Sequence, residues 1–129
     1  MLLALRHPRL WLVCGWLLVA GAIVANLMPA HDLPKIGGIN DKAEHIVGYL
    51  VLSLWFAGMY PRTRYPMIGV ALLVMGIVIE GLQGAMHMGR EADITDVYAN
   101  TVGIVAGLTL ALIWLGGWAM RVEALARKQ

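Results

Sequence analysis

An all-α, polytopic membrane protein is the fold class this sequence predicts, and three observations lead there. Hydrophobic residues make up 60% of the 129 and charged residues only 14%, whereas a soluble domain carries about a quarter charged. Four stretches approach the roughly 20 apolar residues that a helix needs to cross a bilayer. Prolines and most basic residues fall between those stretches rather than within them. The net charge of +2 says little until it is distributed along the chain. The single cysteine, Cys14, excludes an intramolecular disulfide and a Cys-rich metal site. Inside an apolar run it reads as a small, inert hydrophobe.

The first helix is expected over 10–28, where Asn26 is the one strongly polar residue. Pro29, Pro34 and Gly37-Gly38 then break the chain. A second helix is expected over 41–60, continuously apolar only from Ile46 to Tyr60, so its first turn (Asp41 to His45) lies at the interface or faces inward. Pro61 and Pro66 bracket a tight turn around Arg62 and Arg64. The third helix is expected over 67–88, interrupted by Glu80, Gln83 and His87, and the fourth over 97–120. Together they make one domain, 1–129.

Basic flanks set the orientation. With the N-terminus inside, the cytoplasmic side holds Arg6, Arg9, Arg62, Arg64, Arg121, Arg127 and Lys128. The outer side holds Lys35, Lys42 and Arg90. Both termini are therefore expected in the cytoplasm, and Trp11, Trp55, Tyr60, Tyr65, Trp114 and Trp118 fall toward that interface as an aromatic belt. A cleaved signal peptide is the rival reading of the first segment. Its apolar run exceeds the usual 7–15 residues of a signal, and no clean small-x-small site follows.

Acidic residues collect on the other side: Asp32, Asp41, Glu44, Glu91, Asp93 and Asp96, against Glu123 alone inside. Orientation rules do not require this. On the third helix, Gly76, Glu80, Gln83 and His87 share one face by their spacing. Glu80 lies roughly 12 Å of helix rise below Met88, where a bare carboxylate costs at least a few kcal/mol unless paired, neutralised or hydrated. On the fourth, Asp93, Asp96, Asn100, Gly103 and Gly107 form a second stripe, and Gly103-x-x-x-Gly107 lets a partner helix approach closely. Asp96 also fits an N-cap. On the second, Asp41, His45 and Tyr49 share a face beside Lys42, while Asp41 and Glu44 fit a capping box. Three polar faces thus converge at one membrane face.

The combination Asp41-Lys42-x-x-His45-x-x-x-Tyr49, Glu80-x-x-Gln83 and Arg90-x-x-Asp93-x-x-Asp96-x-x-x-Asn100-x-x-Gly103 resembles the VanZ-like proteins over about residues 28 to 115. That resemblance implies a multi-pass protein of the bacterial inner membrane. The family's founding member is associated with low-level resistance to the glycopeptide teicoplanin. The matching polar positions, and hence the expected binding residues, are Asp41, Lys42, His45, Tyr49, Glu80, Gln83, Arg90, Asp93, Asp96 and Asn100.

Three functional readings follow. In the first, an outward-facing polar pocket between the second, third and fourth helices binds the head group of a lipid or lipid-linked cell-wall precursor, with Arg90 and Lys42 meeting phosphate and an influence on glycopeptide susceptibility. The surplus of carboxylates opposes that phosphate. In the second, the site is an enzyme whose catalytic candidates are His45, Glu80 and Asp96; no familiar nucleophile motif accompanies them, so the sequence leaves open whether the protein is an enzyme. In the third, Glu80 and His45 belong to a proton relay, which in so thin a bundle calls for a homo-oligomer, or they fix helix register in an assembly subunit. No cofactor is implied. A divalent ion on His45, Glu80, Asp93 and Asp96 rests on residue types only, so no metal is expected. Nucleic acid is not an expected partner, because the basic residues form only short flanking patches.

Overall fold

The computed structural model describes residues 1–28, 41–86 and 93–127. Its elements are all helical: α1 (Pro8–Leu27), α2 (Asp41–Met59), a short 3-10 turn (Arg62–Arg64), α3 (Tyr65–Met86), α4 (Ile94–Leu110), a wide π turn (Ala111–Leu115) and α5 (Trp118–Ala126). Local chemistry explains most boundaries. Pro8 opens α1, where its missing N–H would have had no helical partner. Pro61, in extended conformation, precedes the 3-10 turn, and Pro66 is absorbed in the first turn of α3. Three helical segments are long and apolar enough to cross a membrane: Pro8–Leu27, Arg62–Met86 and Ile94–Leu115. The 19 residues of α2 give about 28 Å of rise, but Asp41, Lys42, Glu44 and His45 make its first turn polar.

The expected fourth helix over 97–120 is not continuous. It begins at Ile94, widens after Leu110, and breaks at Gly116–Gly117 before α5. Gly117 carries a φ of 68°, a left-handed conformation that glycine adopts without a Cβ penalty. Arg121 donates to the carbonyls of Trp114 and Gly116 at 2.9 and 3.1 Å, satisfying acceptors the break would otherwise strand. An unbroken apolar run conceals such a stop, since hydropathy does not register backbone conformation.

The helices alternate up and down, so α2 and α4 run parallel, yet these two make the closest approach. Glycines permit it. A Cβ on Gly103 would strike the carbonyl of Ile46, and one on Gly107 would strike Ser53 and the carbonyl of Leu50. Around this pair α1 and α3 are placed antiparallel, and Tyr49, Leu52, Ala57, Ile68, Leu72 and Ile104 fill the core. Outward faces remain apolar: Leu17 and Val24 on α1, Val70 and Val74 on α3, Val102 and Val105 on α4 are exposed. That inversion suits a lipid solvent, where the helix satisfies its own backbone and apolar side chains need no cover.

At the end holding both described termini, the tryptophans turn partly inward instead of forming a simple belt. Trp11, Trp55 and Trp118 pack with centroids 5.2–5.7 Å apart. Trp118 donates to the carbonyl of Leu54 at 2.9 Å, and the amide of Leu3 to that of Met59 at 2.8 Å. Trp114 is 70% exposed.

Candidate functional site

The opposite end gathers the polar stripes. Parallel packing of α2 and α4 sets their first turns side by side, so Lys42 reaches across to α4. Its ammonium donates to Asp93 Oδ2 at 2.6 Å and also to Asp96 Oδ1. Asp93 caps α4, accepting from the Thr95 amide at 2.8 Å and the Thr95 hydroxyl at 2.7 Å. The Lys42 ammonium and these Thr95 donors hold the Asp93 carboxyl well below the usual carboxylate range. Asp96, the carboxylate expected at this cap, instead lies within the first turn and is buried. The helix starts three residues earlier than expected, which turns Asp96 toward α2.

One turn deeper, His45 Nδ1 is 2.9 Å from Asn100 Oδ1, and its Nε2 faces Asp96 Oδ2 at 3.5 Å. Below them, Gly76 of α3 leaves room for two polar ends: a Cβ there would lie 2.8 Å from Asn100 Nδ2 and 3.0 Å from the Tyr49 hydroxyl. Glu80, also buried, accepts from the Asp93 amide at 3.0 Å. Gln83 donates to the Asn26 carbonyl at 2.6 Å, which draws α1 into the assembly. His45, Tyr49, Glu80, Gln83, Asp96 and Asn100 are all buried. Asp41 stands exposed at the rim. Of the expected binding residues, Arg90 lies outside the described residues, as do His87, Asp32 and Glu91.

A cavity of about 160 Å³ opens between α1 and α2, lined by Ala22, Ala25, Asn26, Asp41, Glu44, His45, Gly48, Tyr49 and Leu52. Two of the polar residues in this lining, Glu44 and Asn26, are not among the expected binding residues. Glu44 was read only as a helix cap, and Asn26 only as an interruption in an apolar run, though a lone amide in a membrane helix is itself a signal. Glu80 is not among the residues lining this cavity. The carboxylates of Asp41 and Asp96 and the ring of His45 offer three ligand atoms within 4.8 Å of one another.

At the other end, Glu123 of α5 accepts from the amides of Arg6 and His7 at 2.6 and 2.9 Å and from Trp11 Nε1 at 2.9 Å. From a distant segment it anchors the two amides that lead into α1, where His7 makes no side-chain cap. These donors, the Arg6 amide foremost, lower the Glu123 pKa.

No curated protein and no solved structure matches the chain. The family model described as VanZ/LLP1 matches residues 11–115, a span running from α1 through the π turn and including every polar stripe described above. With three helices able to cross a membrane, the chain is a membrane protein and belongs to the VanZ/LLP1 family.

Proposed function

We propose that this protein recognises the polar end of a membrane lipid, or of a lipid-linked cell-wall component, at the non-cytoplasmic face of a bacterial inner membrane. In this reading α2 is a fourth span and both termini are cytoplasmic. The observation that carries it is the cavity between α1 and α2, whose mainly apolar lining carries Asn26, Asp41, Glu44, His45 and Tyr49. Its volume of about 160 Å³ is below the roughly 300–1,000 Å³ of whole-ligand pockets. It therefore suits a head-group fragment, with the rest of the ligand lying along the bundle.

Charge selects among fragments. Lys42 is already shared between Asp93 and Asp96, whereas Asp41 and Glu44 line the cavity as acceptors. Amine, amide and hydroxyl groups are favoured there over a bare phosphate. For acid–base chemistry His45 lines the cavity, but Asp96 and Glu80 do not, and Glu80 points to the Asp93 amide. Binding is therefore the better-supported use.

Native mass spectrometry after gentle detergent extraction tests this. A phospholipid or polyprenyl-linked species should remain on the wild-type protein and be lost from Ala25→Trp, which fills the mouth, and reduced in Glu44→Gln. Retention equal in all three proteins would sink the reading.

A further inference from the structure

We propose that Asp41, His45 and Asp96 bind a divalent metal ion of the Zn²⁺/Mn²⁺ class at the inner edge of the cavity. The three ligand atoms come from two helices whose packing is fixed by Gly103 and Gly107, and they lie within 4.8 Å of one another. Independent support comes from the ring of His45, which is only 6% exposed. When Nδ1–H donates to Asn100 Oδ1, Nε2 turns its lone pair on a carboxylate oxygen. Two acceptors facing each other repel unless a proton or a metal ion lies between them.

The spacing favours an ion. At 3.5 Å the Nε2–Oδ2 pair is too long for an ordinary hydrogen bond, and among the described residues Nε2 makes none. Two ligands about 2.1 Å from one ion at a near-tetrahedral angle stand about 3.4 Å apart. Asn100 orients the ring from its far nitrogen, as carbonyl acceptors commonly do for metal-bound histidines. Lys42 does not fill the same position, since it contacts Asp93 and the other oxygen of Asp96. One imidazole with two carboxylates is a mixed donor set that suits zinc or manganese better than magnesium.

The assignment deepens the head-group reading of the same site, because an ion held by Asp41 and His45 of the cavity lining would accept a phosphate oxygen that bare carboxylates repel. Ion binding itself does not depend on that reading. The test uses full-length, tag-free protein stripped with chelator in detergent. Mn²⁺ is titrated by electron paramagnetic resonance and Zn²⁺ by calorimetry, with Mg²⁺ for comparison. One ion per chain is expected, with affinity lowered at least about tenfold in Asp41→Asn and His45→Ala and unchanged in His7→Ala at the opposite end. Asp41 is exposed, so its variant keeps the fold, and circular dichroism checks this for both. No saturable one-to-one binding, or binding equal in wild type and Asp41→Asn, overturns the proposal. Absent metal with lipid still retained removes only the ion; metal bound with no lipid in any preparation removes only the head group.

Discussion

Gly103 of α4 lies against the carbonyl of Ile46 in α2, leaving no room for a side chain between the two backbones. This contact sets the depth at which Lys42 meets Asp96 and His45 meets Asn100, so the polar network inherits its register from an apolar feature. Gly103→Ala should destabilise by about 1–3 kcal/mol, as overpacking does where backbone must move. Gly81→Ala, where a Cβ meets nothing within 4 Å, should stay within about 0.5 kcal/mol of wild type. Thermal unfolding in detergent compares them, and equal melting temperatures would show that the α2–α4 contact is loose.

The Lys42 ammonium lies between two carboxylates, one of them buried. Lys42→Met should therefore lower the melting temperature by leaving Asp93 and Asp96 to repel each other. Adding Asp96→Asn should restore part of the loss, because the second change removes the repulsion. A double-mutant cycle measures that coupling. Strict additivity would mean the three groups do not act as a unit.

The polar faces of α2, α3 and α4 were legible because helical periodicity decides which residues share a side, whatever the surroundings. Gly76, Glu80 and Gln83 are buried together, as are Asp96, Asn100, Gly103 and Gly107. What periodicity cannot rank is competition among neighbours. Asp96 fits the cap of α4 by spacing, yet Asp93 takes it, and the position of Lys42 and His45 on another helix goes with Asp96 turning inward. Lys42 was read as a phosphate contact for the same reason: its two carboxylate partners lie 51 and 54 residues away in the chain. The stop at Gly116–Gly117 and the Glu123 clamp were missed because one depends on a single left-handed residue and the other on contacts across 112 to 117 residues.

Glu123 gives that clamp a pH dependence with a definite sign. Its folded-state pKa is lowered by the donors of Arg6, His7 and Trp11, so its stabilisation is complete above the ordinary Glu range near 4.3. As pH falls through the lowered value, the contribution is lost. Glu123→Gln should melt earlier than wild type at pH 7, and the gap should close on acidification below about 4. Asp93 weakens in the same direction in both proteins and cancels in the difference. A gap that stays constant with pH would show that the carboxylate charge contributes nothing.

The remaining prediction concerns sidedness. Arg6, Arg9, Arg62, Arg64, Arg121 and Arg127 all belong to the end where Leu3 meets Met59 and Trp118 meets Leu54, the end that the proposed topology, following the positive-inside bias, assigns to the cytoplasm. In a Cys14→Ser background, Glu44→Cys and Thr95→Cys should react with a membrane-impermeant maleimide in intact cells whose outer barrier has been opened. Thr63→Cys and Ala126→Cys should react only after the membrane is broken. All four positions are exposed on the protein, so burial cannot account for silence. Labelling of Thr63→Cys together with Glu44→Cys would mean that α2 does not span, because only a crossing by α2 separates those two positions. The polar end would then share its compartment with the basic turn, and a head group of the outer leaflet could not reach it.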